Sequence, residues 1–178
     1  MTDYRKAIDT PVGRLTLVAS EKALVAVLWP DDAPGRVRLG PVAEDKNLPV
    51  LIETERQLSD YFAGARIAFD LPLDFRGTDF QKDVWRALLT IPFGETRSYV
   101  GIARQIGRPS ASRAVGAANG KTPISIIAPC HRVVGTAGDM RGFAGGLAVK
   151  ERLLAFERTR CGGSPLGSRA DVFIQPDG

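Results

Sequence analysis

The first part of the chain carries short apolar runs separated by turn residues, a pattern typical of β-strands. Thr10-Pro-Val-Gly13 supplies turn chemistry after the first run. A stretch rich in proline, glycine and aspartate covers residues 30–41 and is typical of a loop. The pattern therefore predicts three strands, at residues 4–9, 15–19 and 24–29.

Helical spacing replaces this pattern near residue 50. Apolar side chains recur at helical intervals from Val50 to Phe62, and Gly64 supplies a stop signal. Residues 67–71 have the composition of one more strand. We therefore predict a small α/β domain over residues 1–77. Nothing in its sequence indicates chemistry, so we interpret it as structural.

A second helical pattern begins at Thr78, where Thr78 or Asp79 has the chemistry of an N-cap. Further along, Gly107-Arg-Pro109 predicts a tight turn between two short helices. Such a pair has the proportions of a DNA-binding helix-turn-helix, although structural bundles use the same hairpin. The predicted helices cover residues 79–90, 99–106 and 110–119.

The third of these helices is almost without bulk, because alanine and glycine fill most positions and Arg113 is its only long side chain. A recognition helix that reads base edges in the major groove usually carries several long polar side chains. A slim helix with one arginine suits close approach to a DNA backbone or a narrow minor groove. The alternative is that the alanines form a helix-packing surface.

The charge distribution favours a polyanion-binding second half. Residues 1–77 carry 10 Lys and Arg against 12 Asp and Glu, whereas residues 78–160 carry 13 against 6. The excess of basic residues therefore lies in the later part of a chain whose net charge is +4. Such an excess is weak evidence alone, since many proteins that never bind nucleic acid have it.

Composition predicts a globular protein in a reducing compartment. No run of about 18 apolar residues is present, so we expect no membrane span. The first residues lack the apolar core of a secretory signal. Both cysteines are therefore expected to be reduced, and we predict a cytoplasmic location.

The strongest local signal is Cys130, which stands beside His131, the only histidine of the chain. A thiol is a weak nucleophile until a basic or cationic neighbour helps to deprotonate it, and His131 and Arg132 are both available. The alternative is a buried cysteine that acts as a small apolar side chain. One histidine and two distant cysteines are too few ligands for a metal site, so none is predicted.

A glycine-rich loop is predicted over residues 135–146, followed by a helix over residues 147–158. Glu157 falls in the last turn of that predicted helix, where the helix dipole disfavours a carboxylate. We therefore expect a local partner for Glu157, the alternative being a solvated surface acid. Cys161, near the end of the chain, is interpreted as incidental.

Four motifs stand in a fixed order between about Thr78 and Glu157. They are Ile91-Pro-Phe-Gly-Glu-Thr-Arg-Ser-Tyr99, Arg113-Ala-Val-Gly116 with Ala118-Asn-Gly120, Pro129-Cys-His-Arg-Val133, and Gly142-Phe-Ala-Gly-Gly146. In this order the sequence closely resembles the O6-alkylguanine-DNA alkyltransferase family, in the bacterial form without an attached regulatory domain.

The resemblance implies an α+β fold. Residues 1–77 are expected to form a ribonuclease H-like N-terminal α/β domain with a three-stranded sheet. Residues 78–160 are expected to form a mostly helical, winged-helix-like domain that contains the helix-turn-helix, binds DNA and accepts the alkyl group. Residues 161–178 lie outside the resemblance and are predicted to be a mobile tail.

The resemblance also implies catalytic roles. Cys130 is the expected alkyl acceptor, and His131, acting through a water, is the base that deprotonates it. Glu157 is expected to orient His131 and to stabilise its charge. Tyr99 is expected to donate its phenolic proton toward the guanine ring, which makes the base a better leaving group.

Nucleotide flipping is implied because the target carbon cannot be reached inside a duplex. Arg113 is expected to fill the gap in the base stack, from a slim helix in the minor groove. Further residues carried over from the family fall into three groups. They are the DNA-contacting Ser112, Ala114 and Gly116, the pocket-lining Tyr99, Val133, Phe143 and Ala144, and Asn119 and Thr122, which brace the active-site turn.

Two of these positions depart from the commonest family pattern. Thr122 stands where an asparagine is usual, and Phe143 replaces a frequent tyrosine. The implied partner is double-stranded DNA that contains O6-alkylguanine, with O4-alkylthymine as a second lesion. We expect no cofactor, no metal and no membrane association, and a monomer in solution that clusters on DNA.

Three other classes of protein share some of these features. A non-catalytic DNA-damage binder of the same fold lacks the acceptor cysteine, which is present here as Cys130. A helix-turn-helix regulator needs base-reading side chains, which the third helix lacks. A Cys-His hydrolase turns over repeatedly on an acyl substrate and needs an oxyanion hole.

Overall fold

The computed structural model describes residues 2–161, which form two compact units. The first comprises the residues up to Arg76 together with Pro123–Ser125, and the second comprises Gly77–Thr122 and the residues from Ile126 onward. The predicted tail and the side chain of Cys161 lie outside the described residues. Within the described part, no helix is long and apolar enough to cross a membrane.

The first unit contains a four-stranded sheet in the order β3-β2-β1-β4. Its first three strands pair antiparallel, and the fourth pairs parallel to β1. The three predicted strands are present, but the expected three-stranded sheet has a fourth strand that is only three residues long. The strands are β1 Asp3–Thr10, β2 Gly13–Ala19, β3 Leu24–Leu28 and β4 Val42–Glu44.

One helix, α1 (Pro49–Ala63), accompanies this sheet and ends at Gly64, whose φ of 83° is left-handed, as the predicted stop requires. The strand predicted at residues 67–71 is wrong. The Gln57 side chain donates to the Asp70 carbonyl at 2.9 Å and accepts from the Asp70 amide at 2.9 Å. A side-chain amide thus takes the backbone groups that a strand partner would need.

The core of the first unit lies between the sheet and α1, where Leu15, Leu17, Leu51 and Tyr61 are fully buried. Three residues from later in the chain complete the unit. The Val27 amide donates to the Pro123 carbonyl at 2.8 Å, and the Trp29 indole donates to Ser125 Oγ at 3.1 Å.

The second unit is mostly helical, as predicted. Its elements are α2 Asp79–Leu88, β5 Arg97–Ser98, α3 Tyr99–Gln105, α4 Ser112–Gly120, a 3₁₀ turn Cys130–Arg132, β6 Val133–Val134 and α5 Leu147–Cys161. The short strands β5 and β6 pair in parallel. Thr78 caps α2 in a reciprocal capping box with Gln81. The α4 helix begins two residues later than expected, because the Ala111 amide closes a turn onto the Arg108 carbonyl.

Helices α2, α3 and α4 pack on one another. The α4 helix divides into a buried face and an exposed face, so the packing interpretation holds for the buried face and DNA binding by the exposed face stays a prediction. Val115 and Ala118 are buried, whereas Arg113 and Ala114 are exposed. The indole nitrogen of Trp85 on α2 donates to the Ala118 carbonyl at 2.9 Å, which fixes α4 by a directional bond as well as by apolar contact.

We expect Trp85→Phe to lower the free energy of unfolding by about 1–2 kcal/mol, because it removes a buried hydrogen bond and leaves a void. Urea unfolding followed by circular dichroism measures the change. The exposed neighbour substitution Arg86→Gln serves as control and is expected to stay within about 0.5 kcal/mol of the parent. Equal costs for the two variants would contradict the role of the indole bond.

Candidate active site

Cys130 begins the 3₁₀ turn of the second unit, and only 2% of the residue is exposed. The backbone that leads to it is strained. Ile126 has a φ of 73° and is the only non-glycine residue with positive φ in the described part of the chain. A β-branched residue in this region costs on the order of 1–3 kcal/mol, and such strain clusters at functional sites.

Three buried side chains converge behind this turn. His131 Nε2 lies 2.8 Å from Glu157 Oε2. Arg132 donates from Nε to Glu157 Oε1 at 2.8 Å and from Nη2 to Oε2 at 3.0 Å. Arg132 also donates to the Ile91 carbonyl at 2.7 Å. His131 and Glu157 are fully buried, so this cluster holds the 3₁₀ turn against α5 away from water.

The expected partner of Glu157 therefore exists, but the expected helix position is wrong. The α5 helix continues to Cys161, so Glu157 is not in its last turn. Its partners are explained by burial, because a buried carboxylate must be paired, and not by the helix dipole. Arg132, which the sequence offered as a charge beside the thiol, instead forms a two-pronged ion pair with Glu157.

Charge and hydrogen bonding set the protonation states. Burial alone would raise the pKa of Glu157, but the charge and hydrogen bond of His131, together with Arg132, lower it well below its ordinary value. Glu157 is therefore ionised and accepts a hydrogen bond from His131 Nε2. With Nε2 donating to Glu157, Nδ1 is the ring nitrogen that can accept a proton, and it has no protein hydrogen-bond partner among the described residues.

Tyr99 is the first residue of α3, whose N-cap Ser98 accepts a hydrogen bond from the Gly101 amide at 2.9 Å. Burial raises the pKa of Tyr99, while the positive charge of Arg141 acts in the opposite direction. The Arg141 guanidinium carbon lies 5.7 Å from the centroid of the Tyr99 ring. The phenol is therefore protonated at neutral pH and can donate a hydrogen bond.

A cleft of about 470 Å³ opens beside Tyr99. It is lined by Tyr99, Val100, Ser112, Arg113, Gly116, Gly120, Gly135, Thr136, Arg141 and Gly142. Three of the four expected DNA-contacting residues line this cleft, and the fourth, Ala114, is exposed on the same helix. Arg113 has no hydrogen-bond or ion-pair partner among residues 2–161, so its guanidinium is available to a ligand.

The residues expected to brace the turn are buried beside it. Asn119 Nδ2 donates to the Cys130 carbonyl at 3.3 Å, and Thr122 Oγ1 donates to the Asn119 carbonyl at 2.7 Å. Asn119 thus contacts the turn directly, whereas the Thr122 hydroxyl binds the carbonyl of Asn119 on α4. This arrangement connects the end of α4 to the backbone of Cys130.

The expected pocket residues from the later part of the chain surround the same turn. The Phe143 ring meets the His131 ring edge-on, with centroids 6.5 Å apart. Ala144 is half-buried next to it. Val133 is fully buried, and its carbonyl accepts a hydrogen bond from Lys150 Nζ at 2.7 Å.

Sequence reasoning missed Lys150 and Arg141. Lys150 is fully buried and also donates to the Arg141 carbonyl at 3.2 Å. Its spacing from Leu154 and Glu157 places it on the inward face of α5, and this spacing was the available signal. Burial lowers the pKa of Lys150. Arg141 gave no signal, because a polar residue in a glycine-rich loop is ordinary.

These groups form a recognisable chemical set. A buried thiol is followed by an imidazole whose second nitrogen is fixed by an ionised carboxylate, and a phenol lines the adjoining cleft. Covalent catalysis uses groups of these types as nucleophile, base and orienting acid. Among the described residues no group of three or more His, Cys, Asp or Glu is placed to hold a metal ion.

Comparison with known proteins gives the same picture for both units. The family model "6-O-methylguanine DNA methyltransferase, ribonuclease-like domain" matches residues 4–75. The model "6-O-methylguanine DNA methyltransferase, DNA binding domain" matches residues 79–159.

Curated relatives match over most of their length. A methylated-DNA–protein-cysteine methyltransferase of Mycolicibacterium paratuberculosis is 48% identical over 158 residues, which are 89% of this chain and 93% of the relative. A protein of the same name from Methanosarcina barkeri is 47% identical over 155 residues, which are 86% of this chain and 96% of the relative.

Solved structures agree. The crystal structure of Mycobacterium tuberculosis OGT in complex with DNA has a TM-score of 0.81 and 43% identity, covering 96% of this chain and 99% of that chain. The crystal structure of the Mycobacterium tuberculosis O6-methylguanine methyltransferase has a TM-score of 0.80 and 46% identity, covering 92% and 96%. On these matches over both units, the chain belongs to the 6-O-methylguanine DNA methyltransferase family.

Proposed function

We propose that this protein repairs DNA by moving the alkyl group of O6-alkylguanine onto its own Cys130, once per molecule. The observation that supports it most is the buried His131–Glu157 pair directly beside Cys130, at 2.8 Å between Nε2 and Oε2. In a chain of this family, such a pair supplies the base and the orienting acid that a thiol nucleophile needs. The acceptor forms a thioether, and no cofactor takes part in the step.

The proposed reaction is a displacement at the alkyl carbon. His131, acting through a water, takes the thiol proton, and the sulfur forms a bond to the carbon while the carbon–O6 bond breaks. The electron pair stays with the guanine, and Tyr99 donates a proton to it. The proton removed from sulfur restores the phenol, so the products are unmodified guanine and S-alkylcysteine. Because Glu157 is ionised and Tyr99 is protonated at neutral pH, both groups start in the required state.

DNA is the proposed partner, as in the Mycobacterium tuberculosis OGT complex. The slim exposed face of α4 suits the minor groove, with Arg113 in the gap left by the flipped nucleotide. Ser112, Ala114 and Gly116 lie on the same helix and would approach the DNA backbone. We propose that Asn119 and Thr122 brace the reactive turn and that Val133, Phe143 and Ala144 line the base pocket.

The assignment of residues 1–77 as a structural domain and of residues 78–160 as the DNA-binding and acceptor domain belongs to the same proposal. Activity on O4-alkylthymine, a monomeric state in solution, clustering on DNA and a cytoplasmic location stay predictions.

Incubation with excess duplex containing O6-methylguanine is expected to add about 14 Da, one methylene, to each molecule, because the thioether has no leaving step. Intact-protein mass spectrometry with peptide mapping measures the gain and places it on Cys130. Cys130→Ala is expected to bind the duplex without any gain, whereas Cys161→Ser is expected to react as the parent does. A modification retained by Cys130→Ala, or repeated turnover, contradicts the proposal.

Arg113→Ala is expected to slow repair of a duplex lesion by about 10- to 100-fold, because the energy of nucleotide flipping is no longer offset. Reaction with free O6-benzylguanine needs no flipping and is expected to lose much less. Single-turnover rates on both substrates measure the difference. Lys22→Ala, which removes an exposed cation of the first unit, is the control. Equal losses on the two substrates would argue against the flipping role.

Glu157→Gln is expected to slow transfer by about 100-fold, because the imidazolium formed beside Cys130 loses its counter-charge. Single-turnover labelling of folded protein measures this, with the exposed Glu151→Gln on the same helix as control. If Glu157→Gln does not fold, Glu157→Asp, which keeps the charge but shortens its reach, replaces it. A parental rate in folded Glu157→Gln excludes the proposed charge stabilisation.

The same residue predicts a pH effect on stability. Because folding lowers the pKa of Glu157, its stabilising contribution is complete above its ordinary pKa of 4.5 and is lost as the pH falls further. The difference in unfolding free energy between the parent and Glu157→Gln is therefore expected to shrink below about pH 4.5, as measured by urea unfolding at several pH values. A difference that grows on acidification contradicts this.

A further inference from the structure

Arg141 lines the cleft from the loop of residues 135–142. No acidic residue is among the described residues that line this cleft. The cleft that Tyr99 and Arg113 line also includes Arg141, whose side chain is 59% exposed. Its guanidinium carbon lies 5.7 Å from the centroid of the Tyr99 ring, a distance at which a cation is attracted to an aromatic face. Arg141 and Tyr99 therefore border the same cleft at close range.

The loop that carries Arg141 is anchored to buried structure. Lys150 Nζ donates to the Arg141 carbonyl at 3.2 Å and to the Val133 carbonyl at 2.7 Å. The Gly135 amide donates to the Asp139 carbonyl at 2.9 Å, and Gly135 packs closely on the Asp139 carboxylate, which a Cβ at this position would displace. The backbone of Arg141 is thus fixed although its side chain is exposed.

The Arg141 guanidinium is oriented by one hydrogen bond and has further donors to offer. Arg141 Nε donates to Asp139 Oδ2 at 3.0 Å, and this bond lowers the pKa of Asp139. Its two terminal nitrogens have no protein hydrogen-bond partner within residues 2–161. An exposed ion pair of this kind adds little to stability. The arrangement instead orients the guanidinium and leaves its two terminal nitrogens to donate, a geometry that suits a phosphate.

Among the described residues, the charged side chains that line the cleft are two cations, Arg113 and Arg141. The Asp139 carboxylate offsets part of the Arg141 charge, whereas Arg113 has no such partner within residues 2–161. A strand of DNA carries one phosphate for about every 3.4 Å of helix axis, so a nucleotide whose base enters this cleft brings phosphates to its rim. We propose that Arg141 binds a phosphate of the DNA strand that carries the flipped nucleotide.

DNA is then held from two sides, by α4 through Arg113 and by the loop of residues 135–142 through Arg141. This inference rests on the proposed function, since it takes the flipped nucleotide as given. It adds a contact that contributes affinity for any sequence, because a phosphate contact carries no base information.

The test is the salt dependence of binding to lesion-containing duplex, measured by fluorescence anisotropy in the Cys130→Ala background so that no reaction intervenes. Adding Arg141→Gln is expected to weaken binding several-fold at low salt and to reduce the slope of log affinity against log salt by about 0.9, one phosphate contact. Arg141→Lys keeps the charge and is expected to keep the slope, with part of the affinity lost.

Arg14→Gln is the matched control, because Arg14 forms an exposed pair with Asp9 at the same 3.0 Å separation in the first unit. It removes the same charge and is expected to leave the slope unchanged. An unchanged slope in Arg141→Gln, or an equal change in Arg14→Gln, overturns the assignment. Circular dichroism of each variant confirms that binding is compared between folded proteins.

A second readout separates a phosphate contact from an effect on the phenol. With Cys130 intact, Arg141→Gln is expected to lose more rate on duplex than on free O6-benzylguanine, which has no phosphate. The proposal is overturned if Arg141→Gln slows the reaction equally on both substrates and has no effect when Tyr99 is already replaced by Phe. That result would mean that Arg141 acts on Tyr99. Absence of any transfer by the parent protein would instead refute the proposed function, which the binding slopes do not test.

Discussion

A fully buried carboxylate, Glu157, sets the order of the second unit. Removing a charge from water is costly unless it is paired, and Glu157 is paired twice, with His131 and with Arg132. Each partner then has one arrangement available. Arg132 extends to the Ile91 carbonyl, so the turn that begins at Cys130, the segment after α2 and the C-terminal half of α5 share one polar network. The hydrogen bond to Glu157 also leaves Nδ1 as the imidazole nitrogen that can accept a proton. The pairing that makes burial of Glu157 possible therefore also orients His131.

Burial separates the cations of this unit into two kinds. Arg132 and Lys150 are buried, and their hydrogen bonds are taken by Glu157 and by backbone carbonyls. Arg113 and Arg141 are exposed and line one cleft with terminal nitrogens available. A net positive charge in a sequence does not distinguish these kinds. Only exposed cations such as Arg113 and Arg141 attract a polyanion, and both line the same cleft as Tyr99.

Local signals predicted the elements well because their causes are local. The capping chemistry of Thr78 and the left-handed stop at Gly64 act within a few residues, and both are present. Non-local competition explains the errors. Gln57 takes the backbone groups of Asp70 from thirteen positions away, which prevents the expected strand. For the site, motif resemblance gave Cys130, His131, Glu157 and Tyr99 as candidates, and their catalytic roles stay predictions. The pairing of Arg132 and the burial of Lys150 depend on packing that no sequence pattern records.

The segment Pro123–Ser125 has a consequence for how the chain is made. It completes the first unit through Val27 and Trp29, yet it follows that unit by nearly fifty residues. A ribosome has therefore delivered α2, α3 and α4 before the first unit has all its parts. A fragment ending near residue 77 lacks the acceptor for the Trp29 indole and leaves the outer edge of β3 without that pairing. The chain therefore enters the second unit, returns to the first for three residues, and enters the second again. Cleavage near residue 77 does not yield two fragments that each contain a complete unit.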